Sequence, residues 1–539
     1  MPRLHRNDLL LLTLVTGLAL APGRSGLGFY GDDWLVLKTF AFANDGSLLG
    51  IARAMYAWEF VQMRPGQVLY FAALFRLFGL NPLGYHIVNA AMLVGASLLF
   101  YIALRRLGLG RDLSVAVPLV YSLLPHYSTD RVWFAAFQAP LSMVFYFASL
   151  DAGLASLRGG RWTSAAWQAA SVVALVASGL CYELAVPLFL LNPVLIAWAA
   201  RRQGGNVQTR ATAMRRSVIG AAITLVALAA VIAFKLATAT RLAHGSVVER
   251  IIGVAKEAAW INGWYYGLAA PVRFVGAVRS STLGIVLTAG VIALSTAVYL
   301  ARLNARSDDD EPTRSEALAC IVVGAVVLVL GHAIIASGGD VTLSATGRDN
   351  RVAIAGAVGA ALCYVGLVGW LTSRLARGRE WFAVLTAGVA LGGFVVDAQL
   401  RSWWVTSYRL EQEILAAIRE RLPSIAPNTA VILDGACHTA GVGLSFHSQY
   451  DLAGALALAY GDTTVRADVV SPGLTARGDG LHTTKYDEDS RYPYERVIVF
   501  NFLDRTAHRL ADSAAARAYF DRYNPTRREG PCPARAYTR

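Results

Sequence analysis

The feature that most constrains this chain is a series of long apolar runs separated by short clusters of arginine. A helix that crosses a bilayer needs about 20 mostly apolar residues, and in hydrocarbon its backbone must satisfy its own polar groups. About eleven stretches meet this pattern: 8–28, 86–104, 113–126, 138–157, 163–181, 184–200, 217–237, 282–300, 317–336, 352–371 and 381–398. The third is short. The composition agrees, with 55% hydrophobic and 16% charged residues, against about 25% charged in an average soluble domain. The first run begins with Arg3 and Arg6 and ends in Ala19-Leu20-Ala21, which imitates a signal-peptidase site. Pro22 follows directly, so the run reads as a retained helix.

The positive charge sets an orientation. The formal net charge is +13, but the arginines lie between apolar runs instead of forming a groove-lining patch, which argues against a nucleic-acid partner. With the N-terminus cytoplasmic, the inner connections carry Arg105-Arg106, Arg158 and Arg161, the stretch from Arg201-Arg202 to Arg215-Arg216, Arg302 and Arg306, and Arg374, Arg377 and Arg379. The outer face then receives the longer segments, about 29–85, 238–281, 337–351 and everything after 399. An odd number of spans sends the C-terminus outside. The acidic run 308–311 falls in an inner loop and reads as solvated.

After residue 400 the character changes. The stretch 407–421 repeats Leu410, Ile414 and Ile418 at helical spacing. The runs 430–436 and 496–502 are short, apolar and flanked by turn signals, as strands are. The expected architecture is mainly α: a polytopic membrane domain over 1–400, with a first outward loop at about 29–85, and a small extracytoplasmic α/β domain over 401–539. Of five cysteines, Cys181, Cys320 and Cys363 lie in apolar runs. Cys437 and Cys532 lie in the outer domain, where an oxidising compartment permits a disulfide; two separate thiols are the alternative.

Within GFYGDDWLVLKTF, residues 28–40, the carboxylates Asp32 and Asp33 stand side by side next to the first apolar run. Ionisable groups at such a position face a protein interior or a wet cavity more often than lipid. One carboxylate could act as a general base in group transfer while the other orients it; the alternative is that the pair caps the following helix. Phe29, Tyr30 and Trp34 read as interfacial anchors. There is no Walker motif, no GxSxG elbow and no His/Cys cluster for a metal.

Further motifs follow in order: Arg64-Pro65, then Leu77-Phe78-Gly79-Leu80-Asn81-Pro82-Leu83-Gly84-Tyr85-His86-Ile87-Val88-Asn89. With the acidic pair before them, these residues resemble the GT-C superfamily, the multi-spanning glycosyltransferases that use polyprenyl-phosphate-linked sugars, and its bacterial, O-mannosyltransferase-like members in particular. The resemblance is sharp over about 29–190, general to about 400 and uninformative beyond. Cys181-Tyr182-Glu183 is similar to a Ser-Lys-Glu of such relatives, but the Lys is absent, so only Glu183 carries over.

The resemblance implies inverting transfer of a sugar from a polyprenyl-phosphate donor to a glycan, lipid or protein acceptor. The reaction would take place at the outer face of a bacterial cytoplasmic membrane, with or without a divalent metal. Asp32 or Asp33 would be the base, Asp32 by the family pattern, and Arg64 would meet the donor phosphate. Arg348 and Arg351 join Arg64 by topology, with lipid-headgroup contact as the alternative. His86 and Glu183 are candidate substrate contacts, His86 having a helix-start hydrogen bond as its alternative. Lys256, Trp260, Trp264, Tyr265 and Tyr266 form an outer segment of interfacial character. A transporter or flippase for lipid-linked sugars, or a non-catalytic membrane scaffold, are the competing readings.

Overall fold

The computed structural model describes residues 4–202, 207–239, 246–304, 314–337, 342–484 and 490–523. Arg306, the acidic run 308–311 and Cys532 lie outside them. The chain opens with α1 (Arg6–Leu20), then three short helices of the first long loop, α2 (Asp32–Ala41), α3 (Leu48–Tyr56) and α4 (Pro65–Phe78). The bundle continues with α5 (Pro82–Leu107), α6 (Arg111–Leu123), α7 (Gln138–Ser156), α8 (Arg161–Cys181), α9 (Asn192–Arg201) and α10 (Val207–Thr238). After α11 (Val247–Ala259) and α12 (Ala270–Ser280) come α13 (Leu283–Asn304), α14 (Arg314–Ala333), α15 (Ile354–Thr372) and α16 (Gly378–Arg421).

All eleven expected spans are helical, and they differ in length. Among the described residues, eight helices are long and apolar enough to cross a membrane, or nine if the bent pair Pro125–Arg131 and Phe134–Ser156 counts as one span. The chain is a multi-pass membrane protein. The two expected spans beyond that count are α1, with 15 residues, and α6, with 13; α1 still runs from the Asp8 cluster at one end of the bundle to the Arg401 cluster at the other. Every residue of α6 from Asp112 to Leu123 is buried by protein. An apolar run reads the same whether lipid or protein surrounds it, so hydropathy alone overcounts.

Polar clusters mark the two ends of the bundle. At one end Asp8, fully buried, pairs with Arg111 and accepts from Tyr101 and Tyr299, tying α1, α5, α6 and α13 together. At the other, Asp397 of α16 lies between Arg131 at 2.7 Å and Arg401 at 2.6 Å. Arg401 donates to the carbonyls of Ala19 and Pro22, and Arg131 to those of Ser122 and Leu124. These are the helix-end carbonyls of α1 and α6, which have no partner within their own helices.

The helix α16 runs unbroken through residue 400 for 44 residues, about 66 Å at 1.5 Å per residue. Its last turns enter the C-terminal region, where the expected strands appear as β1 (Ala430–Asp434) and β8 (Val497–Asn501). The intervening elements are β2 (Thr439–Ala440), β3 (Gly443–Leu444), α17 (Gln449–Tyr460), β4 (Arg466–Val469), β5 (Leu474–Arg477), β6 (Gly480–Thr483) and β7 (Ser490–Tyr492), with β9 (Thr506–Arg509) and α18 (Ser513–Tyr523) last. The main sheet has the order β4-β1-β8-β9, with β1 parallel to β4 and β8, and β9 antiparallel. Strand alternation divides its two faces. Val431 and Leu433 join a core with Leu410, Ile414 and Ile418 of α16, Leu452 of α17, and Trp34, Leu37 and Phe40 of α2. Ala430 and Ile432 face Tyr519 and Phe520 of α18. The first long loop and the C-terminal sheet therefore share one hydrophobic core.

Candidate functional site

The acidic pair forms the first two residues of α2, directly after a tight turn at Gly31. Gly31 has φ 51° and ψ −120°, a backbone region that a side chain disfavours. Asp33 is fully buried and accepts from the backbone N–H of Tyr30 at 2.9 Å and of Ala135 at 2.7 Å. Burial pushes its pKa well above the ordinary carboxylate value, against the pull of these backbone donors. Asp32 is exposed. The two carboxylates thus have different environments: Asp33 fastens the turn to the 134–137 segment, and Asp32 is the one a ligand can reach.

The flanking aromatics are not interfacial anchors. Phe29 is 2% exposed, Tyr30 0% and Trp34 8%. Phe29 packs edge-on against Tyr85, Phe134 and Trp34, and Tyr30 against Trp404. Trp34 Nε1 donates to Glu411 Oε2 at 3.0 Å and its ring meets Phe446. The C-terminal region, which sequence could not see, supplies the packing that lipid was expected to give.

The stretch from Leu77 to Asn89 proves to be a helix–turn–helix device. Asn81 caps α5 by accepting from Leu83 N at 3.1 Å, Pro82 occupies the first helical turn, and Tyr85 donates to the Gly79 carbonyl at 2.7 Å. His86 is 3% exposed, with Nε2 3.2 Å from the Gly28 carbonyl and its ring against Phe137. That position braces the backbone ahead of the acidic turn.

Arg64 precedes the first turn of α4 and forms a two-pronged pair with Glu183 through Nε and Nη2, its guanidinium stacked 4.6 Å over the Tyr182 ring. Lys235 of α10 approaches Glu183 Oε2 at 3.1 Å and donates to the Met63 carbonyl at the same distance. Sequence reasoning missed Lys235. It ends an apolar run 52 positions from Glu183, and an ionisable residue there was the available signal. Two cations and one carboxylate leave this cluster net positive.

Arg351 is linked to the acidic turn through Trp133. Arg351 stands over the Trp133 ring at 5.1 Å, and Trp133 Nε1 donates to the Tyr30 carbonyl at 2.9 Å. Asn350, fully buried, holds Arg348 and Arg351 in place. It donates to the carbonyls of His126 and Ala345 and accepts from Thr129 N and Ser128 Oγ. Arg348 remains 44% exposed, with Asp349 beside it at 3.4 Å. In the 238–281 segment, Trp260 and Trp264 are exposed, as surface anchors would be, while Tyr266 is buried and donates to the Ala345 carbonyl at 2.6 Å.

Among the described residues no group of three or more His, Cys, Asp or Glu side chains could hold a metal ion. Cys437 is disulfide-bonded; Cys532, its expected partner, lies outside the described residues. Cys181, Cys320 and Cys363 are free thiols.

No family model and no curated protein matches the chain. Among solved structures, ArnT from Cupriavidus metallidurans bound to undecaprenyl phosphate is similar at 14% identity and a TM-score of 0.36, covering 86% of this chain and 90% of that one. The same protein in its apo state gives 16% identity and a TM-score of 0.36, covering 79% and 81%. A likeness at this level assigns neither substrate nor mechanism.

Proposed function

We propose that this chain is a membrane glycosyltransferase that moves a sugar from a polyprenyl-phosphate carrier to a glycan, lipid or protein acceptor. The GT-C resemblance of the acidic pair, Arg64-Pro65 and the Leu77–Asn89 stretch supports the class. The observation that carries the mechanism is the contrast within the acidic pair: Asp33 is buried and bonded to backbone, while Asp32 is exposed one residue earlier. Asp32 accepts the proton of the acceptor hydroxyl. The hydroxyl oxygen attacks the anomeric carbon as the bond from that carbon to the phosphate oxygen breaks, with inversion, and the phosphate leaves with the bond's electron pair. Arg351 and the more exposed Arg348 meet the leaving phosphate beside the acidic turn. Arg64, already satisfied by Glu183, contributes through the net positive charge of its cluster with Lys235.

The arginine-rich connections at the Asp8 end of the bundle favour a cytoplasmic N-terminus, with the acidic turn and the C-terminal domain on the outer face of a bacterial cytoplasmic membrane. The test uses purified protein in lipid vesicles and a panel of radiolabelled undecaprenyl-phosphate hexoses, with cell-envelope extract as acceptor. Wild type should yield a covalent labelled product, and Asp32→Asn should yield none. Movement of label across the vesicle without a covalent product, or full transfer by the Asp32→Asn variant, would sink the reading.

A further inference from the structure

The acidic turn has a neighbour that nothing in the first 400 residues supplies. A Cβ built on Gly31 would lie 3.4 Å from His447 Cε1, 3.4 Å from Leu444 Cδ1 and 3.9 Å from Trp133 Cζ2. The turn that presents Asp32 therefore lies against both Trp133, with Arg351 on its ring, and the 444–447 segment of the C-terminal domain.

His447 is not there by the accident of a loose loop. Its Nδ1 lies 2.7 Å from Asp451 Oδ2, and its backbone N–H donates to the same carboxylate at 2.9 Å. Asp451 is fully buried and is fixed by the N–H groups of Ser448 and Leu452 within the capping box that starts α17. The segment itself is anchored to the long helix, because Ser407 of α16 donates to the Leu444 carbonyl. The helix α17 in turn lies directly on α2: a Cβ on Gly454 would come within 2.6 Å of the Trp34 backbone. The buried Asp451 carboxylate so close to one ring nitrogen sets a negative charge beside the imidazole, the setting in which a histidine gains a proton most readily. The His447 side chain keeps 15% of its surface exposed, whereas Asp451 has none.

We infer that His447, placed beside Asp451, is part of the same reaction centre as Asp32 and contacts the acceptor. This rests on the transferase reading. The origin of each group separates the two substrates. Trp133 and Arg351 belong to segments between bundle helices, where a prenyl-anchored phosphate is assigned. His447 belongs to the C-terminal domain, which is assigned to the acceptor. The C-terminal domain is then a working part of the site: it contributes the group that holds the acceptor hydroxyl next to the Asp32 carboxylate.

The experiment uses the full-length protein in vesicles, the undecaprenyl-phosphate hexose on which wild type is active, and envelope extract as acceptor. His447→Ala and His447→Gln are compared with wild type, with thermal unfolding as the folding control. His447→Ala should raise the KM for acceptor at least tenfold while the Kd for tritiated undecaprenyl phosphate stays within twofold. His447→Gln, which keeps a hydrogen-bonding group, should recover part of the loss. An unchanged acceptor KM in folded His447→Ala, or a parallel loss of undecaprenyl phosphate binding, overturns the assignment while leaving the transferase reading intact. If wild type transfers no sugar from any donor, both fall together.

Discussion

Replacing each carboxylate of the acidic pair by its amide separates their roles. In Asp33→Asn the two carboxylate oxygens become one carbonyl and one NH2 group. Only one of the two backbone donors, Tyr30 N at 2.9 Å or Ala135 N at 2.7 Å, then keeps an acceptor. The other is left buried and faces a second donor, at a cost of about 1–3 kcal/mol. Asp32→Asn changes an exposed side chain and should leave the thermal transition where it was while abolishing transfer. The pH dependence gives a second handle. The pKa of Asp33 is raised in the folded chain, so its contribution to stability is fully present below about pH 4, the ordinary carboxylate value. As pH rises, the unfolded chain releases this proton first, and the contribution is lost through the folded-state pKa. An asparagine lacks this dependence, so the stability gap between wild type and Asp33→Asn should be widest at low pH and narrow as pH rises. Thermal unfolding of purified protein in detergent, followed by tryptophan fluorescence across pH 4–8, reads both effects. Equal stability of Asp33→Asn and wild type at every pH, or equal destabilisation by the two amides, would refute the division of labour.

Other perturbations test the packing that positions the site. Glu183→Gln leaves Arg64 and Lys235 facing each other with little solvent, a loss of about 3–5 kcal/mol, and Lys235→Met added to it should recover part of that loss; simple additivity in thermal unfolding would argue against the cluster. Trp34→Phe removes the donor to buried Glu411 and should cost about 1–3 kcal/mol, measured the same way, with no effect expected if the indole N–H is replaced by water. Gly454→Ala forces α17 away from the Trp34 backbone, with an overpacking cost of about 1–3 kcal/mol, and should speed proteolytic cleavage around the C-terminal domain; an unchanged cleavage rate would mean that the two helices separate freely.

Much of the architecture was legible because the constraints behind it are local. Each apolar run contained a helix, and the strands at 430–436 and 496–502 lay where β-rich runs met turn signals. Asn81 and Pro82 marked the start of α5 by their own chemistry. The limit appeared at α6, where hydropathy could not tell burial in protein from burial in lipid. The acidic pair was legible as a place of interest, and Glu183 and Arg64 as charges near a membrane. Their relations were not. The bond from Asp33 to Ala135 spans 102 positions and that from Trp34 to Glu411 spans 377, and nothing in a local pattern encodes which distant segment will arrive. Sequence by itself determined that this chain is a helical membrane protein with an acidic turn after its first apolar run and a small α/β region at its end. Only tertiary structure decided that Asp33 is fastened and Asp32 reachable, that Lys235 completes the Arg64–Glu183 pair, and that Phe29, Tyr30 and Trp34 are core residues. The reason is that burial is a property of assembled surfaces: an aromatic or a carboxylate acquires its environment, and with it its role, only when segments hundreds of residues apart close over it.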